Sequence, residues 1–184
     1  MARLPIQSVE SATGSNKDTF AAFQKALGMV PNMIRVMGNS PAVLQSYAQF
    51  SGAMGTARLS AKIREQIALL TAQSNACSYC LSAHSALGKM VGLNQAQIDG
   101  ARRLESDDPR TFAALKFAQA VIDLRGGVGP SDIKAVRAAG FTDAEIAEIV
   151  ASVALNFFTN FFNRAFDVDV DFPRVEAEML AAAR

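Results

Sequence analysis

Both cysteines and the single histidine of the chain fall within eight consecutive positions, Cys77, Cys80 and His84 in the stretch ACSYCLSAH. On a helix these residues stand at i, i+3 and i+7 and share a face. Positions three apart come close enough for a disulfide with modest adjustment. His84, four residues beyond Cys80, can hydrogen-bond its sulfur and take the thiol proton. A free cysteine titrates at about 8.5, and a helix N-terminus or a basic neighbour lowers that value. With the helix beginning near Ala76, both cysteines lie in its first turn. A thiolate beside a second thiol can attack a peroxide or a disulfide, and its neighbour can then resolve the product.

A carboxylate joins this group only if the chain reverses. Glu65 precedes Cys77 by twelve residues, roughly 18 Å along one straight helix, beyond contact. The intervening Ser74-Asn75 favours a turn over a helix interior. If the two flanking helices pack antiparallel around it, residues whose numbers sum to about 149 lie opposite one another, as Glu65 and His84 do. The expected arrangement is then a relay in which Glu65 orients His84 and His84 deprotonates Cys80.

Two other readings of the same residues stand beside this one. Free cysteines pack well as small hydrophobes in a core. Cys77, Cys80 and His84 also supply three zinc ligands, with Glu65 or water as a fourth. A closed structural zinc site would need a second subunit, because the chain has no further Cys or His. The redox reading is preferred, with no metal and no cofactor.

The elements that must position these residues are helical throughout. Half the 184 residues are apolar and no long stretch alternates as a strand would. Helices are expected over 17–27, stopped by Gly28, from Pro31 to near Gly38, and from Ser40-Pro41 to Met54. Ser60 caps the helix carrying Ile63, Ile67 and Leu70. A further helix runs from Cys77 to Met90, so that 64–91 form a hairpin. Asn94 with Gln97, and Thr142 with Glu145, read as capping boxes, the second opening the longest helix. Asp108-Pro109 and Ser131 open two more. The segment DVDVDFP is a loop, and 174–184 a terminal helix. The expectation is one all-α domain over 1–184, a multi-helix bundle with 1–30 as an N-terminal extension.

Composition excludes several classes of partner. A net charge of +1 without any basic run argues against nucleic acid and anionic membrane surfaces. The N-terminal residues lack the apolar region of a signal peptide. The longest apolar run, Ile149 to Phe158, is too short to span a bilayer. A soluble, cytoplasmic protein is expected, where a close cysteine pair is more often redox-active than structural. The candidate pocket should be apolar, with Leu69, Leu70, Leu81 and the Phe-rich helix as available walls and Tyr79 and Asn160 near the site. Met29, Met33 and Met37 read as a core or interface stripe. Asn156, Asn160 and Asn163 need partners, either at helix contacts of an oligomer or at the pocket.

Glu65, the CSYC motif twelve residues on, and His84 together resemble the alkyl hydroperoxidase D-like group of the carboxymuconolactone decarboxylase superfamily. PNMIRVMGNSPAVLQSYAQF and NFFTNFFNRAFDVDVDFP resemble its peroxidase-related branch, so the likeness covers 31–173. The resemblance implies an all-helical fold assembling as trimers or hexamers, and hydroperoxide reduction through the cysteine pair. Cys80 would be the residue peroxide attacks and Cys77 the one that resolves it. Glu65 and His84 would relay protons, and an unidentified dithiol would donate electrons. Well-known members carry a second His where this chain has Tyr79, which is not a base at neutral pH. Two alternatives are a lyase or decarboxylase acting on a small acid, and a redox-sensing or assembly protein without turnover.

Overall fold

The computed structural model describes residues 2–178, which form nine helices and no strand among them. They are α1 (Gly14–Leu27), α2 (Asn32–Met37), α3 (Pro41–Gly55), α4 (Ala61–Ser74), α5 (Ser78–Met90), α6 (Gln95–Arg102), α7 (Pro109–Asp123), α8 (Pro130–Ala138) and α9 (Asp143–Phe166). Their boundaries follow local chemistry. Gly28 ends α1 in the left-handed region at φ 75°. Ser40, Ser60 and Asp108 each accept a backbone N–H with the side chain and so cap α3, α4 and α7. Reciprocal capping boxes open α6 at Asn94 and α9 at Thr142.

The centre of the bundle is α4, which packs against α5, α6, α7 and α9. Every residue from Gln66 to Gln73 is buried, so this half of the helix is enclosed on all sides. The chain then reverses at Asn75 and Ala76, where Ala76 takes a left-handed φ of 49° and Cys77 N–H reaches back to Ala72 O at 2.9 Å. That reversal makes α4 and α5 an antiparallel pair. At 24 residues α9 is long and apolar enough to cross a membrane by length and composition alone. It lies across α3, α4, α5, α7 and α8 as a core helix, burying Ile149, Val153 and three asparagines.

Both ends of the chain pack against the bundle. Residues before Pro31 are integral to the fold, since Phe20 of α1 is fully buried and Val30 joins the same core. At the other end, 174–178 are extended, and the rest of the expected terminal helix lies outside the described residues. The extended segment finds tertiary partners where a helix would have bonded to itself. Val175 and Ala177 donate their N–H groups to the hydroxyls of Ser82 and Ser78. Arg102 and Gln73 donate to the carbonyls of Glu176 and Glu178. A strap of five residues is thereby held against α5 and α6.

Candidate active site

Cys77 is the N-cap of α5, and its sulfur accepts the N–H of Cys80 at 3.3 Å. The two sulfurs are joined as a disulfide, with Cα atoms 5.3 Å apart. Three residues on the helix bring the second sulfur onto the inner face, where Cys80 is almost fully buried. One turn further, His84 stands half-buried on the same face. Its Nδ1 lies 2.8 Å from Glu65 Oε2, which α4 contributes from across the hairpin. A carboxylate accepts from Nδ1–H and leaves Nε2 as the basic ring nitrogen.

Cys80 and His84 open together onto an apolar cavity of about 60 Å³, large enough for a few water-sized groups. Its walls come from five helices and the C-terminal segment: Phe23 and Leu27 of α1, Met33 of α2, Tyr47 of α3, Leu87 of α5, Thr159 and Asn163 of α9, and Phe172. Cys77 faces a different, polar cavity of about 350 Å³, bordered by Arg164, Asp167 and Arg174. The disulfide therefore separates an apolar chamber from a polar one.

Tyr79, between the cysteines, holds this region to the rest of the fold. Its hydroxyl donates to Asp171 Oδ1 at 2.9 Å and accepts the N–H of Met33 at 3.1 Å. Asp171 Oδ2 also accepts the N–H of Asn32 at 2.6 Å. The N-cap of α2 is Pro31, which has no side-chain acceptor, so Asp171 and Tyr79 satisfy the first N–H groups of that helix. Burial pushes the Tyr79 phenol above its ordinary range, opposed by the Met33 N–H and reinforced by Asp171. Tyr47 is raised as well, by burial first, with a hydrogen bond to Ser51 opposing and Glu65 adding to the shift.

Residues 41–121 match the carboxymuconolactone decarboxylase family. The fold is shared with the alkylhydroperoxidase AhpD core of an uncharacterized peroxidase-related protein from Ralstonia eutropha JMP134, at 24% identity, TM-score 0.84 and 92% coverage of each chain. A peroxidase-related protein from Silicibacter sp. TM1040 superposes at 24% identity, TM-score 0.82 and 91% of each chain. The chain thus has the alkylhydroperoxidase D-like fold, and its segment 41–121 is similar to the carboxymuconolactone decarboxylase family. The debrominase Bmp8, in complex with 2,3,4-tribromopyrrole, has the same fold at 22% identity and TM-score 0.77, over 93% of this chain and 92% of its own. No curated protein matches the chain by sequence.

Within this alkylhydroperoxidase D-like bundle the expected site residues separate into two groups. Cys77, Cys80, His84, Glu65 and Tyr79 come together. Leu69 and Asn160 do not line the cavity. Leu69 points into the core and is wholly buried, because α4 is enclosed on every side at that level. Asn160 accepts from Asn75 Nδ2 at 3.0 Å and so braces the hairpin turn. Leu70 and Leu81 are likewise core residues, and α1, α2 and Phe172 build the walls they were expected to supply. No hydrogen bond joins His84 to Cys80 among the described residues. The group on the Cys80 sulfur is the Asn163 amide, with Nδ2 at 3.4 Å. Asn163 and Asp171 are the residues sequence reasoning underrated. Their signals were a run of asparagines spaced along one face of the longest helix and an acidic loop with no local partner. Among the described residues no cluster of three or more His, Cys, Asp or Glu is arranged to hold a metal ion.

Proposed function

We propose that the protein is a thiol peroxidase that reduces hydroperoxides through a Cys77–Cys80 disulfide cycle. The observation that carries this reading is the disulfide itself, whose Cys80 end opens on the apolar cavity it shares with the Glu65–His84 pair. In the reduced enzyme His84 Nε2 takes the Cys80 proton. The thiolate attacks the terminal oxygen of the hydroperoxide, the O–O bond breaks, and the leaving alkoxide takes its proton back from His84. Cys80 is left as a sulfenic acid. Cys77 attacks that sulfur, a disulfide forms and water leaves. Glu65 stabilises the imidazolium that exists between the two proton transfers.

An external dithiol closes the cycle, and it approaches from the polar cavity beside Cys77. Attack on Cys77 forms a mixed disulfide there and releases Cys80, the sulfur already beside a hydrogen-bond donor. The donor's second thiol then frees Cys77 and leaves as a disulfide. Such a cycle belongs in the reducing cytoplasm. Exposed Phe50 on α3 and Phe158 and Phe161 on α9 give the trimer or hexamer an apolar surface on which to assemble.

The test is to replace Cys80 and, separately, Cys77 with Ser and follow hydroperoxide consumption with a dithiol reductant. Turnover should be lost in both. Activity surviving in both variants would exclude a thiol mechanism.

A further inference from the structure

We propose that Asn163 stabilises the Cys80 thiolate and thereby makes Cys80, not Cys77, the reactive sulfur of the pair. This rests on the reading of Cys80 as the attacking thiol and supplies a cause for it. In a motif of two cysteines at a helix start, the first normally has the lower pKa, because the helix N-terminus and its free N–H groups favour a negative charge there. Cys77 has that position, with the Cys80 N–H directed at its sulfur. Among the described residues no group on α5 hydrogen-bonds the Cys80 sulfur.

The donor comes from α9. Asn163 Nδ2 lies 3.4 Å from Cys80 Sγ and 3.2 Å from Met33 Sδ, a thioether that is at best a weak acceptor. A thiolate on Cys80 would be the strongest acceptor within reach of this amide, and a hydrogen bond to the charged form lowers a pKa. The opposite end of the side chain explains why the amide is not there for the fold. Asn163 is buried, and among the described residues its Oδ1 has no hydrogen-bond partner. An orphaned buried acceptor destabilises, so stability alone would favour a residue such as Leu at this buried position.

None of the titratable groups around Cys80 hydrogen-bonds its sulfur among the described residues, as Asn163 does. Tyr47 and Tyr79 face the cavity as neutral phenols, raised by burial. Asp171 is separated from Cys80 by Tyr79. His84 lies on the Cys80 side and takes the thiol proton in the proposed cycle, but in this structure it does not bond the sulfur. Arg164 of α9 and Arg174 border the Cys77 side, beside Asp167 and Asp169.

The experiment titrates each thiol alone by ultraviolet thiolate absorbance, which needs no peroxide and so is independent of the peroxidase reading. Cys80 is followed in a Cys77→Ser background and Cys77 in a Cys80→Ser background, each with Asn163 or with Asn163→Leu. With Asn163 present, Cys80 should titrate below Cys77. Asn163→Leu should raise the Cys80 pKa by about one unit, cutting its thiolate fraction at neutral pH about tenfold, and leave Cys77 where it was. The Leu variant should melt no lower than the parent. Asn163→Asp, which puts a negative charge beside the sulfur, should raise the Cys80 value further and serves if the Leu variant does not fold. An unchanged Cys80 titration, or an equal shift in both cysteines, would overturn the proposal.

Discussion

Glu65 and His84 are nineteen residues apart in the chain, yet Oε2 of one lies 2.8 Å from Nδ1 of the other across two antiparallel helices. Each side chain is about one-fifth exposed, and His84 borders the cavity it shares with Cys80. Removing the carboxylate should leave the imidazole present but poorly oriented. Glu65→Gln is expected to lower kcat/KM for hydroperoxide by about 10- to 100-fold, the usual cost of losing a partner that orients a functional histidine. His84→Ala should lose more, about 100- to 10,000-fold. Equal, small effects from both would show that neither moves a proton in the rate-determining step.

Tyr79→Phe separates structure from chemistry. It removes the acceptor of the Met33 N–H and one donor to Asp171 while leaving both sulfurs in place. The expected loss is about 1–3 kcal/mol of stability in a urea titration, with turnover per folded molecule changed less than tenfold. The pH dependence has a definite sign. Because the folded-state pKa of Tyr79 is raised, its neutral hydroxyl stabilises the fold fully below the unfolded value of about 10. That contribution falls as pH climbs from there towards the folded value. Wild-type stability should therefore decline above about pH 10 in a way the Phe variant does not share.

Glu145 predicts the opposite behaviour in acid. Its carboxylate accepts the Thr142 N–H at 2.9 Å and Arg110 Nη2 at 2.6 Å. The Thr142 backbone bond, ahead of Arg110, holds its pKa below the ordinary carboxylate range. A depressed folded value means stability that is present above about 4.3 and is lost as pH falls through the folded pKa. Glu145→Gln should cost about 0.5–1 kcal/mol near neutrality through the lost charge at the start of α9. The gap between the two melting temperatures should close in acid. A gap that persists there would mean that the charge is not its source.

Leu69→Ala tests the assignment of that residue to the core. A fully buried leucine truncated inside α4 should cost about 2–5 kcal/mol. KM for a small hydroperoxide should stay within about twofold in the folded fraction, since Leu69 does not border the cavity. Phe23→Ala, at the wall, should alter KM instead.

How far the molecule was legible beforehand depends on the distance over which each interaction acts. Helix starts at Ser40, Ser60, Asn94, Asp108 and Thr142 follow from a side chain and an N–H three residues away, so the local sequence contains both partners. The Glu65–His84 pairing was equally accessible, because a tight turn at Asn75 and Ala76 leaves an antiparallel pair little freedom of register. Residues 174–178 were not legible for the converse reason. Their partners Ser78, Ser82 and Arg102 lie at distant positions, and five residues at a chain end are too few to hold a helix against them.

The chain's own residues, read in order, thus determine an all-helical bundle, its hairpin and the four side chains Glu65, Cys77, Cys80 and His84. Only the tertiary structure decides what surrounds the sulfurs. Asn163 reaches Cys80 across 83 positions, and Asp171 reaches Tyr79 across 92. No periodicity or cap links residues so far apart; the packing of α9 and the C-terminal segment against α5 does. The same packing places Leu69 in the core and Phe23 at the wall, since burial on a helix enclosed from all sides cannot be read from one face. Which thiol reacts is decided at that level, by a donor whose partner the linear chain does not reveal.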